Sequence, residues 1–191
     1  MHFRDLNETV RAEMVREIRS DMAQGALYRS GRLSAKGRTD WPDLIIGAAE
    51  SGTTETLAAE LRKHGRMADV EISRRSGKTY TKSVPNNAAE TLAEGEFNRF
   101  YIRGVCVIAR SRGQTEVAVY RAKAVTAPRA ESVVLVGSCI DAQALLDDLR
   151  THTWVDGADT ALGIPPGPNS GLSVQLLAAE PPIAGTNSQA S

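Results

Sequence analysis

Apolar residues near the start of the chain recur at every fourth position, a spacing that places them on one face of an α-helix. The stripe consists of Leu6, Val10, Met14, Ile18 and Met22. We expect a helix over residues 5–24, with Asp5 or Asn7 as its N-cap and Gly25 at its end. The opposite face indicates a solvent-exposed surface with mixed ion pairs rather than a partner-binding face. Its charged residues are Glu8, Arg11, Glu13, Arg16, Glu17 and Arg19.

Two shorter helices are predicted next, joined by a tight glycine turn. Residues 26–40 are basic and turn-rich, and the following residues have the pattern of a helix start, with Asp40 as the N-cap and Pro42 in the first turn. This helix is expected over 41–51, and a second one over 54–64. Two short helices with such a turn between them form an αα-hairpin.

Residues 66–85 change to an extended pattern, with β-forming residues on both sides of a turn signal at Ser76-Gly77. We interpret the segment as a β-hairpin or an extended arm. It is the most basic part of the chain, and the basic residues of this arm are Arg66, Arg74, Arg75, Lys78 and Lys82. Such an arm suits sequence-independent contact with phosphates, in which Arg99 and Arg103 would join. The plainer interpretation is a solvated hairpin or an arm that holds an acidic neighbour.

The longest helical pattern covers residues 86–112 and predicts a central amphipathic helix. Asn87 and Glu90 have the spacing of a capping box. Gly95 and Gly104 weaken a helix, and their presence indicates that another backbone approaches closely there. Glu96 and Arg99 are spaced as an ordinary pair on an exposed helix surface.

The C-terminal part alternates between strand and helix patterns before it becomes a tail. Residues 115–125 and 132–136 predict two strands, and 141–150 predicts a short helix capped by Asp141. The chain is thus expected to be an α+β protein with a helical N-terminal half, a long central amphipathic helix, a small antiparallel sheet and an extended C-terminal tail. Residues 1–150 would form one domain, which carries the basic hairpin or arm at 66–85.

Residues 151–191 form the predicted tail, which is rich in proline and glycine. Residues 172–177 have the pattern of one edge strand, and such tails often add a strand to a neighbour's sheet. The candidate partner contacts in the tail are Ile164, Pro165, Pro166, Leu172 and Val174. A disordered tail is an equally open interpretation.

Composition narrows the classes of function. The 191 residues contain 23 Lys and Arg and 23 Asp and Glu, so the net charge is zero and a strongly basic nucleic-acid binder is not indicated. Aromatic residues make up 5%, which argues against a base-stacking platform. Both cysteines, Cys106 and Cys139, fall in apolar segments and are expected to be buried, reduced thiols. No signal peptide and no apolar run of membrane-spanning length is present, so we expect a soluble protein that is not secreted by a signal peptide.

Chemical signatures are weak, and we predict no catalytic residue, no cofactor and no metal site. Gly77-Lys78-Thr79 lacks the earlier glycine of a phosphate-binding loop, because Ile72 occupies that position, and no helix follows it. The histidines, His2, His64 and His152, have no ligand spacing. No nucleophile-elbow motif is present. Catalytic residues that meet only in space leave no such local pattern.

Several blocks of the chain resemble an uncharacterised family of proteins encoded in the structural regions of tailed phages and prophages. The blocks read NAAETLAEGEFNRFYIRG at 87–104, VYRAK at 119–123, PRAES at 128–132, IDAQALLDDLR at 140–150 and DTALGIPPGPNSGLSV at 159–174. The resemblance extends from the first helix to about residue 174. It brings no catalytic residues with it.

The resemblance implies a non-enzymatic virion structural or assembly protein, associated with the capsid, neck or tail. Such a protein would contact other virion proteins and copies of itself through its arm and tail, with nucleic acid as a further partner. It would be found in the virion or in the cytoplasm of the bacterial host.

Two other functions remain open. A nucleic-acid-binding regulatory protein would use the basic arm at 66–82 and would bind any duplex in a salt-sensitive way, unless Arg74, Arg75 and Lys78 were replaced by alanine. An enzyme would have a single deep pocket with clustered titratable groups.

Overall fold

The computed structural model describes residues 1–75, 77–128, 130–151 and 170–178. For residues 74 and 75 it describes the backbone alone. The strands in these ranges make a two-stranded hairpin, β1-β2, and a separate three-stranded antiparallel sheet with the order β4-β3-β5. The predicted α+β class is confirmed. In chain order, the elements are α1 Glu8–Ala23, α2 Ala35–Ser51, α3 Thr54–Arg62, β1 Val70–Arg75, β2 Lys78–Ser83, α4 Ala88–Ser111, β3 Glu116–Arg121, α5 Ala130–Val134, β4 Cys139–Asp141, α6 Ala142–Thr151 and β5 Leu172–Gln175.

Helix α4 lies at the centre of the structure and packs against α1, α3, α6, β3 and β5. Residues 95–106 are all buried, so neighbouring elements cover every face of this stretch. The polar side of the predicted amphipathic helix is therefore inside the protein as well as the apolar side. Its buried polar residues include Glu96, Asn98, Arg99 and Arg103.

The start of α4 differs from the prediction. The Asn87 side chain makes no capping hydrogen bond within the described residues, so the prediction of a capping box is wrong. Glu90 instead forms an ion pair with Arg62 of α3, and the backbone N–H of Ala88 donates to the carbonyl of Pro85 at 2.9 Å. The sequence pattern assigns the Glu90 carboxylate to the cap, but the ion pair between α3 and α4 uses it instead.

Gly104 lies where α4 crosses α1. A Cβ at this position would lie 3.0 Å from the Val10 carbonyl oxygen and 3.3 Å from Cγ of Met14. The predicted close approach of another backbone is therefore confirmed at Gly104. The apolar stripe of α1 faces this crossing, and Val10, Met14 and Ile18 have no solvent exposure.

Helix α2 begins at Ala35, earlier than predicted. Ser34 is the N-cap: its Oγ accepts from the N–H of Gly37 at 3.1 Å and donates to the Gly65 carbonyl at 2.6 Å. Asp40 is thus not the cap, and Pro42 lies inside the helix. The serine is favoured because one side chain both caps the helix and ties it to the loop before β1.

The three-stranded sheet uses a different segment from the one predicted. Residues 132–136 were expected as a strand, but they belong to α5 and the turn after it, and Val134 is 81% exposed. The strand beside β3 is instead β4, in which Ile140 pairs with Val117. Gly137 has φ +90° and its N–H donates to the Val119 carbonyl, so the chain turns into the sheet only after the valines have passed. Pairing with β3 overrides the local β-propensity of the valine run.

Strand β5 completes the sheet on the other edge of β3, where Val174 pairs with Val119. The Asn98 side chain of α4 fixes this strand: its Nδ2 donates to the Leu172 carbonyl at 2.9 Å, and its Oδ1 accepts from Ser173 Oγ at 2.7 Å. Leu172 and Val174 are 1% and 0% exposed. These two tail residues therefore contribute to the core of their own chain.

The two cysteines lie in different environments. Burial raises the pKa of the Cys106 thiol to about 12, whereas Cys139 lies on the short edge strand β4 and is exposed, contrary to the expectation that both are buried.

A thiol reacts as the thiolate. We therefore expect a maleimide to label one thiol per native chain, and Cys139→Ser to abolish that labelling. Rapid labelling of both thiols without denaturant would contradict this assignment.

Candidate interaction surface

The β1-β2 hairpin forms a ribbon that is attached to the body of the protein at its base. At that base Leu33 pairs with Met67, and the N–H of Ala68 donates to the Arg32 carbonyl at 2.9 Å. The two strands pair in register from Val70 with Ser83 to Arg75 with Lys78, and every residue of β2 is exposed. The chain therefore presents residues 70–83 as a separate two-stranded arm, which we call the ribbon.

The ribbon exposes apolar side chains. Val70 is 54% exposed, Ile72 is 78% exposed and Tyr80 is 43% exposed. Side chains alternate between the two faces of a strand, so Val70 and Ile72 share one face, and Tyr80, which pairs with Ser73, lies on the other. Apolar groups that remain uncovered on both faces of a projecting element are typical of a protein-interaction site.

Two of the predicted contact residues, Arg66 and Lys82, form ion pairs near the base of the ribbon. Arg66 Nε lies 2.8 Å from Asp40 Oδ2, and its Nη1 lies 3.1 Å from Glu60 Oε2. The hydrogen bonds from Arg66 and then Lys36 lower the pKa of Asp40. Arg66 is thus held against the body of the protein and is half-buried, rather than free for a partner.

Lys82 shares the carboxylate of Glu71 with Arg32, at 3.1 Å and 2.6 Å. The hydrogen bond from Arg32 is the main cause of the lowered pKa of Glu71. The other predicted basic contacts of the ribbon lie at its tip. Arg74 and Arg75 pair along the backbone with Thr79 and Lys78, and Lys78 is exposed.

Arg99 and Arg103 are not surface residues, and their predicted role in phosphate contact is wrong for this fold. Arg103 is 1% exposed and donates to both carboxylate oxygens of Asp21, at 2.7 and 2.8 Å, and from Nε to Glu17 at 2.8 Å. Arg99 donates to Asp21 at 2.6 Å. Its pairing with Glu96, expected on an exposed surface, is buried, and the two side chains lie 3.6 Å apart.

Glu17 joins three helices. It was expected on a solvated face, but it is buried, and Arg150 of α6 donates to its two oxygens at 2.6 and 3.0 Å while Arg103 of α4 donates to one of them. Burial alone would raise the pKa of Glu17, but the hydrogen bonds and charges of Arg150 and Arg103 outweigh it and lower the pKa. The carboxylate is therefore charged at neutral pH and holds α1, α4 and α6 together.

The lowered pKa of Glu17 predicts a dependence of stability on pH. Because the folded-state pKa is below the ordinary value of 4.5, the carboxylate stabilises the fold above that pH, and the stabilisation is lost as the pH falls through the folded-state pKa. A Glu17→Gln variant should be less stable than the natural chain at neutral pH, and the difference should shrink in acid. Urea denaturation over this range measures it. Glu50→Gln removes an exposed carboxylate and should change stability little at any pH.

The remaining predicted contacts lie in the tail. Ile164, Pro165 and Pro166 are outside the described residues. Leu172 and Val174 lie in β5, as given above. Sequence reasoning did not single out Val70, Ile72 and Tyr80 as contact residues, although their alternation with polar residues was visible. Alternation predicts which side chains share a face, but it does not tell whether another element covers that face.

Within the described ranges, no group of three or more His, Cys, Asp or Glu side chains is arranged to hold a metal ion. None of the helices described there is both long and apolar enough to cross a membrane. Comparisons of the chain with protein-family models, with curated proteins and with solved structures find no match.

Proposed function

We propose that the protein is a non-enzymatic structural or assembly subunit of a tailed-phage particle and that its ribbon contacts a neighbouring protein. The observation that carries this proposal is the exposure of Val70, Ile72 and Tyr80 on an arm that projects from a well-packed body. An isolated subunit gains nothing from apolar side chains on such an arm, whereas a partner that covers them gains the free energy of their burial. The association with phage particles rests on the resemblance of the sequence blocks.

The distribution of charge favours a protein partner over a nucleic acid. Arg99 and Arg103 are buried, and Arg66 and Lys82 form ion pairs, so four of the seven predicted basic contacts are already engaged within the chain. Contact with a nucleic-acid backbone depends on many exposed cations, because each one neutralises a phosphate. A phosphate backbone offers no apolar surface to cover the exposed side chain of Ile72, whereas the core of a protein interface does.

Incorporation into particles tests the proposal. A tagged copy is expressed in a bacterial host in which the phage particles assemble, and the particles are purified on a density gradient and probed for the tag. We expect the natural chain in the particles and an Ile72→Lys variant reduced by about tenfold or more, as for the loss of a central interface residue. Val134→Lys is the matched control, since Val134 is equally apolar and exposed but lies off the ribbon on α5.

Each outcome bears on a different part of the proposal. Absence of the natural chain from particles would overturn the structural role. Equal incorporation of Ile72→Lys and Val134→Lys would overturn the role of the ribbon. Binding to random duplex DNA that weakens steeply with salt and is lost when Arg74, Arg75 and Lys78 become alanine would favour the nucleic-acid alternative.

A further inference from the structure

A two-stranded ribbon has two free edges. In an antiparallel pair, every second residue of each strand directs its N–H and C=O away from its partner. Apart from the pairing of β1 with β2, no backbone hydrogen bond of residues 70–75 is formed within the described part of the chain. The outer edges of both strands therefore offer unpaired backbone groups, which are a template for a further strand.

The two edges are not equivalent. Strand β2 carries Lys78 and Lys82 on either side of Tyr80, and all of its residues are exposed. Lysines on an edge strand oppose the pairing of further strands, and two copies of β2 that paired around Tyr80 would place Lys78 opposite Lys82. The outer edge of β1 has no such protection at Val70 and Ile72.

The edge of β1 opens into a groove of about 630 Å³. One wall is β1 itself, and the other is the segment 28–33, with Tyr28 and Leu33 among its lining side chains. The two walls pair at Leu33 and Met67 and separate beyond that point. Because the consecutive residues 70–72 all line the groove, it follows the edge of the strand rather than one of its faces. Its volume is within the range of ligand-binding clefts.

The groove has a positive rim. Arg32 and Lys82 both bind the single carboxylate of Glu71, so these three side chains together keep a net positive charge. Arg38 adds a second cation, whose Nε donates to the Leu33 carbonyl at 3.3 Å. Both arginines line the groove. Carboxylates on an incoming segment would be attracted to this rim.

We propose that the outer edge of β1 binds an extended, acidic segment of a partner protein as a third strand of the ribbon. Main-chain hydrogen bonds to β1 hold the segment, alternate apolar side chains fill the groove beside Tyr28 and Leu33, and carboxylates face Arg32 and Arg38. The inference rests on the proposed function and names the kind of partner that the ribbon contacts.

A synthetic peptide serves as the probe because the partner is not identified. A fluorescein-labelled peptide of ten residues with alternating Glu and Val is titrated with the full chain, and fluorescence anisotropy is measured. Two control peptides isolate the contributions: one replaces each Glu by Lys, and the other keeps every side chain but is N-methylated at alternate residues, so that it loses the N–H donors of one edge. We expect saturable binding of the acidic peptide and weak binding of both controls.

Two leucine substitutions locate the binding site. Gly31 lines the groove, and a Cβ there would have no neighbour within 4 Å, so Gly31→Leu fills the groove without straining the fold. Gly47, on α2, is equally open and lies in a different groove, so Gly47→Leu is the matched control. We expect Gly31→Leu to weaken peptide binding by about tenfold or more and Gly47→Leu by less than about twofold. Hydrogen exchange should slow at residues 28–33 and 70–75 when the peptide is bound.

The inference is overturned if the acidic peptide does not saturate below about 1 mM, if the N-methylated peptide binds as well, or if Gly31→Leu binds like Gly47→Leu. Stronger binding of the Lys-Val peptide would likewise overturn the choice of an acidic partner. The proposed function is judged separately by particle incorporation. Particles that contain the natural chain, exclude Ile72→Lys and accept Gly31→Leu would retain the proposed function and reject the strand at the edge of β1.

Discussion

The Arg103→Ala variant is expected to lose about 3–5 kcal/mol of its free energy of unfolding, as when one partner of a buried ion pair is removed. Arg103 satisfies Asp21 through both of its oxygens and Glu17 through one, and all three side chains are buried between α1 and α4. Without the guanidinium, the negative charges of Asp21 and Glu17 remain in the interior with fewer hydrogen bonds and less positive charge to balance them. Chemical denaturation followed by circular dichroism measures the loss.

Arg16→Ala is the matched control for this prediction. Arg16 also lies on α1 and pairs with Glu13, but its side chain is 72% exposed, so we expect a loss below about 1 kcal/mol. A loss for Arg103→Ala no larger than that for Arg16→Ala would show that the buried pairs do not hold α1 to α4.

A pair of alanine substitutions in α2 should change stability in opposite directions. A Cβ at Gly37 would overlap the Arg66 carbonyl group, with its carbon only 2.9 Å away, and backbone atoms cannot rotate aside as a side chain can. We expect Gly37→Ala to lower the free energy of unfolding by about 2–3 kcal/mol, as for overpacking. Gly47→Ala meets no atom within 4 Å, and the better helix propensity of alanine should raise stability by up to about 1 kcal/mol.

Thermal denaturation of the two variants beside the natural chain measures both effects. Because each variant adds one methyl group to a glycine of the same helix, the difference between them isolates the contact with the loop before β1. Two variants of equal stability would mean that this loop can move away from α2 at no cost, and that the close packing of Gly37 against Arg66 is not a constraint on the fold.

Periodicity predicted the helices well and predicted their contacts poorly. The stripe of α1 and the pattern of α4 gave both helices, because burial on one side leaves a regular trace in the sequence. The start of α2 was misplaced, since Ser34 and Asp40 are both acceptable N-caps and only the contact with Gly65 distinguishes them. The prediction of a strand over residues 132–136 is wrong for a similar reason, because local propensity does not tell which segment pairs with β3.

The candidate site shows the same limit in its charges. A count of basic residues identified the arm, but it did not tell which cations were already paired. One signal was present: Glu17 and Asp21 are four residues apart on one helix, as are Arg99 and Arg103 on another. Two such faces can match each other along a helix crossing. The sequence carries no comparable signal for the exposed side chains of the ribbon, because their exposure depends on whether another element of the fold covers the ribbon.

Strand β5 has a consequence for the order in which the chain folds. Ser173 bonds to Asn98, which lies 75 residues earlier, so β5 closes a long loop onto α4. Closure of such a loop is slow compared with helix formation, because chain entropy is lost before the pairing rewards it. During synthesis the edge of β3 that pairs with β5 therefore stays open until residues 172–175 leave the ribosome, and we expect chaperones to protect it in that interval.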